Sequence, residues 1–258
     1  IAALKQEDVR LDFGNHFYRE SMNQQHALNL SGGSERQHYY VSLGYDRNLS
    51  SLVRNDQNRF TLNASNTYRF AKDRLELNTG IQYTENRSTS NNPGMNGIRF
   101  SDISGAPLYP YARLADASGN ALVINHDYRA SFLQEANQDG LLNWEYSPLQ
   151  ELYNADHTSR STDYLLNGGL SYTLIPGLIV QSRYQYGRSL QEGRELFNQE
   201  SYYTRNQINR LSAVNPDGSL TYPIPMGSIL NAENAVVNSH FLRAQLNFNR
   251  VIQGDHSI

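Results

Sequence analysis

Seven side chains in one long connection have the types that recognise a ligand: Tyr109, Tyr111, Trp144 and Tyr146, with Arg113, Asp116 and Asn143 near them in sequence. Aromatic rings stack on the apolar faces of sugars, while guanidinium, carboxylate and amide groups bind hydroxyls. The same residues would serve equally to pack a small core of the connection itself, or its contact with a covering lid. Asp116-Ala117-Ser118-Gly119-Asn120 spaces oxygens as a calcium loop does. It lacks the further ordered acids and distal Glu of such loops, and reads as a glycine turn at a hairpin tip.

Other chemistry is not expected. The seven His are scattered without a His-x-x-x-His pair, and there is no Cys to hold zinc. Neither a Gly-x-Ser-x-Gly elbow nor a phosphate-binding Gly-Lys-Ser/Thr signature is present. A Ser/His/Asp set could meet in space, as in any chain this rich in Ser and Asp. The expectation is a protein that is not an enzyme, with no metal site and no cofactor. Net charge of -3 without a Lys/Arg-rich run argues against a nucleic-acid partner. Asn29-Leu30-Ser31, Asn63-Ala64-Ser65 and Asn86-Arg87-Ser88 match the glycosylation sequon, but two would lie inside strands and are discounted.

The elements that must position these residues announce themselves by a period of two. Tyr39, Val41, Leu43 and Tyr45 share one parity, as do Phe60, Leu62, Ala64, Asn66, Tyr68 and Phe70. So do Leu75, Leu77, Thr79, Ile81 and Tyr83, then Tyr164, Leu166, Gly168, Leu170 and Tyr172. Val180, Ser182, Tyr184 and Tyr186 form another set, and Leu242, Ala244, Leu246 and Phe248 the last. Successive strand side chains point to opposite faces, so each set is one stripe, with rings near its ends. The intervening positions are polar and mostly uncharged: Thr61, Asn63, Ser65 and Thr67; Glu76, Asn78 and Gln82; Gln181 and Gln185; Gln245, Asn247 and Asn249. Arg59, Arg69, Arg183 and Arg243 share that face. An apolar band between aromatic girdles, backed by a polar face, is the wall of a transmembrane β-barrel.

Bulk composition permits this without requiring it. Mean hydropathy of -0.64 and the lack of a long apolar run exclude a transmembrane helix. Barrel strands hide their hydrophobicity by alternation. The absence of Cys and the 18 Tyr suit an envelope protein, although an ordinary soluble β-protein fits the bulk values as well.

Strands are expected near 25–31, 36–47, 57–70, 75–88, 161–174, 178–189 and 237–251. Short turns fall at Ser31-Gly32-Gly33-Ser34-Glu35, Ala71-Lys72-Asp73-Arg74, Pro176-Gly177 and Gln253-Gly254-Asp255, and longer connections at 48–56, 89–160 and 190–236. Alternation of short and long connections in a meander puts all long loops on one side, as in outer-membrane barrels. The loop at 89–160 is too rich in aromatics for disorder, and a short helix is expected from Ala130 to Gln138.

Several segments resemble the SusC/RagA-type TonB-dependent transporters of Bacteroidetes outer membranes. His26-Ala27-Leu28-Asn29-Leu30-Ser31-Gly32-Gly33-Ser34-Glu35, followed by His38-Tyr39-Tyr40-Val41-Ser42-Leu43-Gly44-Tyr45, is similar to that family's early barrel hairpin. Tyr109-Pro110-Tyr111-Ala112-Arg113-Leu114-Ala115-Asp116-Ala117-Ser118-Gly119-Asn120 resembles a family loop ending in Asp-x-x-Gly-Asn, and Leu174-Ile175-Pro176-Gly177-Leu178 a periplasmic turn. Asn48 to Val53 stands where relatives often carry a Gly-rich turn. The resemblance implies a 22-stranded barrel with an N-terminal plug. It implies coupling to TonB, ExbB and ExbD through a preceding segment, and a SusD-like surface lipoprotein as lid. Residues 1–258 would then be about seven or eight strands of one barrel domain, truncated at both ends and lacking the plug. On this reading the four strand arginines face plug carboxylates or water, and the loop residues meet ligand or lid. The expected function is import of oligosaccharides or oligopeptides across a Gram-negative outer membrane. The alternatives are a soluble β-sandwich binding or adhesin module and a passive porin.

Overall fold

The computed structural model describes residues 7–249, 251–252 and 256–257. The turn expected at Gln253-Gly254-Asp255 lies outside the described residues. In chain order the elements are α1 (Val9–His16), β1 (Met22–Ser34), β2 (Gln37–Leu49), β3 (Asn55–Phe70), β4 (Leu75–Ser90), α2 (Ala130–Gln138), α3 (Pro148–Asn154), β5 (Ala155–Ile175), β6 (Leu178–Phe197), α4 (Tyr202–Leu211), β7 (Ala213–Val214), β8 (Leu220–Thr221) and β9 (Ile229–Phe248). Seven strands form one antiparallel meander in the order β1-β2-β3-β4-β5-β6-β9, while β7 and β8 make a small separate ribbon. The fold is all-β, a partial barrel wall with long loops at one end, and no helix among the described residues is long and apolar enough to cross a membrane.

Connections segregate as alternation requires. The turns β1–β2, β3–β4 and β5–β6 are two to four residues long and share one end, whereas 50–54, 91–154 and 198–228 share the other. In the β3–β4 turn Ala71, Lys72 and Asp73 all take positive φ, and Gly177 does so between β5 and β6. The double glycine behaves differently from expectation. Gly32 and Gly33 lie within β1, and the turn is Glu35-Arg36. A Cβ on Gly32 would stand 2.4 Å from the Tyr39 hydroxyl, and one on Gly33 2.2 Å from the Gln37 carbonyl oxygen. The pair is needed for close approach of the neighbouring strand and the Tyr39 ring, not for turning.

Strands next to the long loops outrun the expected boundaries: β5 begins at Ala155, β6 runs to Phe197 and β9 starts at Ile229. The helix expected from Ala130 to Gln138 is α2.

Buried apolar residues are concentrated away from the sheet. One cluster joins Val9, Phe13 and Phe17 with Ile98, Leu114, Ile124, Leu149 and Leu152; a second joins Leu133, Ala136, Trp144 and Tyr202. Tyr146 packs against both. The N-terminal segment and the two long loops thus make one cap over the loop end of the sheet.

A two-faced wall and its loop cap as the candidate functional site

Cross-strand register places every apolar stripe on the same face. Leu30, Val41, Ala64, Ile81, Leu166 and Tyr186 form one row, and Leu28, Leu43, Leu62, Tyr83 and Tyr164 the next. This face carries no second layer among the described residues: Leu28 is 66% exposed, Leu242 71% and Leu246 65%. A contiguous apolar surface of this size requires an apolar neighbour.

Two aromatic belts bound it, and both are slanted. At the loop end Tyr45 is opposite Phe60, Tyr83 and Tyr164 pair one outward-facing step lower, and Tyr186 and His240 pair a further step down. Towards the turns, Tyr39, Tyr68, Tyr172 and Phe248 descend in the same sense. The slope is about one residue per strand, ~3.3 Å along a strand against ~4.8 Å between strands, which corresponds to a tilt of ~35°. Eight residues separate Phe60 from Tyr68, Tyr164 from Tyr172 and His240 from Phe248. That spacing is ~26 Å along the strand and ~22 Å along the barrel axis, close to the ~25 Å band of a membrane barrel. Beyond the upper belt the face turns charged. Glu85 accepts from the Tyr83 hydroxyl at 2.7 Å and from Arg160 at 2.9 Å, and also pairs with Arg87. Amphipathic rings capped by ions are what a water–lipid boundary favours.

The opposite face holds the four strand arginines. Arg59 pairs with Asp46 at 2.6 Å and Arg69 with Glu76 at 3.1 Å, both directly across neighbouring strands. Arg183 and Arg243 are instead register partners of each other. Arg243 donates to Gln245 at 2.7 Å, and neither arginine reaches a carboxylate among the described residues. Like charges directly opposed are unfavourable in a sheet, so this pair has unfilled demand for an anion.

In the cap, the loop candidates divide. Tyr109 and Tyr111 stack at 4.9 Å, with Tyr111 47% exposed and Tyr109 packed on the first cluster. Arg113 meets Glu7 at 3.2 Å and Asp12 at 3.6 Å, while Asp12 accepts from the Leu114 amide at 2.7 Å. These contacts tie α1 to the loop. Asp116 uses its oxygens within the turn, accepting from the Ser118 and Asn120 amides and the Asn120 side chain, each at 2.8 Å. The Asn120 side chain and amide hold its carboxyl below the usual carboxylate range. Trp144 is only 5% exposed and donates to Asn206 at 3.0 Å. Asn143 is exposed, accepts from the Glu145 amide at 2.9 Å through its side chain, and offers its carbonyl to Arg205. Tyr146 lies 5.1 Å from Tyr202, and burial pushes both phenols well above their ordinary range. The structure therefore gathers Trp144 and Tyr146 into the cap's interior, and leaves Tyr111 and Asn143 at its surface.

The sequence did not foretell how the two long loops dock. Asn209 of α4 accepts from the Leu142 amide at 3.0 Å and donates to the Leu142 carbonyl at 2.8 Å, as a strand partner would. Arg205 reaches the Asn143 and Glu145 carbonyls. Asn92, 2% exposed, donates to the Phe17 and Val53 carbonyls and accepts from Gly94, with Asn55 bonding its backbone on both sides. Together with Arg19, which donates to Ser50 and Asn55, it fixes the 50–54 turn. Among the described residues one group could hold a metal: a ligand atom each of Asp102, His126 and Asp127 lie within 4.8 Å of one another. Asp102 is 24 residues from His126, so no local spacing signals the group.

No protein-family model matches the chain, and no curated protein matches it. Among solved structures, one described as the RagAB peptide transporter superposes with a TM-score of 0.65 at 14% identity, over 95% of this chain and 24% of that one. The RagAB peptide importer in an "open-open" state gives 0.64 at 14% identity, with the same 95% and 24% coverage. At such identity the likeness is one of fold. The chain spans about a quarter of the length of the solved chains it matches.

Proposed function

We propose that this chain is a section of an outer-membrane barrel that imports an oligomeric nutrient, without enzymatic activity of its own. The single observation that carries the reading is the slanted pair of aromatic belts on an exposed apolar face, with a spacing and tilt suited to a bilayer. Hydrocarbon would solvate that face, and the arginine-bearing face would line a hydrated interior. Further strands beyond β1 and β9 would complete the wall, since an open edge cannot stand in lipid. The family resemblance supports a plug inside, TonB with ExbB and ExbD as the energy source, and a SusD-like lipoprotein over the cap.

Of the two substrate classes, oligopeptides are favoured over oligosaccharides. Trp144, the best sugar-stacking ring, is buried in the cap, and the fold neighbours are described as peptide transporters. Spin labels at Leu166 and Asn167 of the full-length protein in lipid vesicles test the wall. The first should relax with oxygen dissolved in the bilayer, the second with a water-soluble nickel chelate. Nickel accessibility at both would reject it. Uptake of a fluorescent peptide pool that stops when the proton gradient is collapsed would support active import, and uptake indifferent to the gradient would favour a passive porin.

A further inference from the structure

We propose that the cap contains a divalent transition-metal site, of the kind that takes Zn²⁺, formed by Asp102, His126 and Asp127. His126 is buried, with 2% of its side chain exposed, and packs against the rings of Tyr146 at 4.3 Å and Tyr202 at 4.9 Å. Its Nδ1 is 2.9 Å from the Arg99 carbonyl oxygen, which can only accept. Nδ1 therefore donates to that carbonyl, which leaves Nε2 as the ring nitrogen that can offer a lone pair to a metal ion. Nε2 makes no hydrogen bond, although a carboxylate oxygen of Asp102 and one of Asp127 each stand 3.3 Å away.

A buried lone pair facing two carboxylates is repulsive unless a cation lies among them. A proton would select one carboxylate and close to a short, straight bond. A metal ion sits between all three donors. Zn²⁺ bonds of ~2.0–2.1 Å at tetrahedral angles give donor–donor edges of ~3.3–3.4 Å. Imidazole selects Zn²⁺ and its transition-metal neighbours over Ca²⁺ and Mg²⁺.

The surroundings have the form of a supported site. The Nδ1–carbonyl bond fixes ring and tautomer. Asp127 is oriented by Ser101 at 2.7 Å and the Ile103 amide at 3.3 Å, both on Oδ1, which frees Oδ2 for the ion. The Asp102 side chain is 67% exposed and gives a route in from solvent. An ion here would tie together two parts of the 91–154 loop, around Asp102 and around His126-Asp127.

The test uses full-length protein in detergent, stripped with chelator and titrated with Zn²⁺ alone, then with Co²⁺ as a spectroscopic stand-in. We expect one Zn²⁺ per chain, protection of the cap from protease, and a tetrahedral Co²⁺ spectrum. Asp102→Asn removes one exposed ligand that makes no other bond, so the fold should persist while Zn²⁺ affinity falls at least tenfold. His126→Gln should abolish the Co²⁺ spectrum. Unchanged Zn²⁺ binding in Asp102→Asn, or no binding in the parent protein, would overturn the site.

Discussion

Arginine walked along β3 gives the sharpest test of the wall. Ala64 lies midway between the belt residues Phe60 and Tyr68, on the face without a second layer. A guanidinium at the bilayer midplane of a barrel costs ~2–4 kcal/mol, and near the interface ~0–1 kcal/mol. Leu62 is one outward step from Ala64, ~6.6 Å along the strand and ~5 Å in depth at the inferred tilt, so its cost should be intermediate, ~1–2 kcal/mol. Asn63→Arg, between them in sequence but on the polar face, should cost close to nothing.

The assay is reversible urea unfolding of the complete barrel in phospholipid vesicles, with the slope compared between variants so that midpoints translate into free energy. The expected order of loss is Ala64 first, Leu62 second, Phe60 third and Asn63 last. Leu166→Arg and Asn167→Arg on β5 should repeat the contrast, because Leu166 stands one step above the midpoint of Tyr164 and Tyr172. Were the ring-bearing face packed against protein, losses would follow each side chain's own contacts and show no dependence on depth. Equal costs at Ala64 and Asn63 would refute the lipid-facing assignment.

Other consequences can be checked on the same preparation. Trp144→Ala removes the centre of the second cap cluster and should destabilise the cap by ~3–5 kcal/mol, read as faster proteolysis within 91–154 while the wall resists. Asn92→Ala strands the Val53 carbonyl, at ~1–3 kcal/mol for a buried group left unpaired, takes from the Phe17 carbonyl the second of its two donors (the Val53 amide remains), and should free the N-terminal segment in hydrogen exchange. Burial raises the Glu151 carboxyl above its ordinary value, so the folded cap holds that proton more tightly than the unfolded chain. Its contribution is full below the ordinary carboxylate range and is lost as pH rises through the elevated value. Glu151→Gln, which keeps an acceptor for the Tyr202 amide, should flatten that part of the pH–stability curve. Arg243→Gln relieves the opposed arginine pair. If plug carboxylates occupy it, single-channel leak in planar bilayers should rise, whereas unchanged leak would leave the pair to solvent.

What could be read in advance follows the physics of each region. Where one face of the sheet is apolar and the other polar, side chains must alternate, so the stripes from Tyr39 to Phe248 and their shared face were legible. Above the belts both faces carry charged and polar side chains. Residues such as Arg160, Glu192 and Arg194 then lose the period, and the extensions of β5, β6 and β9 were missed. Helix α2 could be read in the loop sequence, whereas α4, polar around most of its surface, was not. The Gly32-Gly33 pair was misplaced because glycine signals both turning and close approach, and only the Tyr39 ring opposite decides between them. The cap contacts of Asn92, Asn209 and His126 join residues far apart in sequence, which no local pattern encodes.

The cap's construction bears on where motion occurs. Neither long loop closes a core alone, since Trp144 needs Tyr202 and Asn206 from the other loop, and α1 needs Leu114 and Leu152. Extended strands β5 and β6 carry the bases of both loops in continuous register up to Ala155 and Phe197. Opening a path by unfolding either loop would break apolar clusters and exchange for water the hydrogen bonds that Arg205 and Asn209 make to the Asn143 and Leu142 carbonyls, at ~0.5–1.5 kcal/mol for each bond. A braced surface of this kind suits docking, while passage of cargo calls for a part that moves as a body. On the import reading proposed above, cross-linking α4 to the 91–154 loop should leave uptake intact; a block of uptake by that tether would place the moving element in the cap itself.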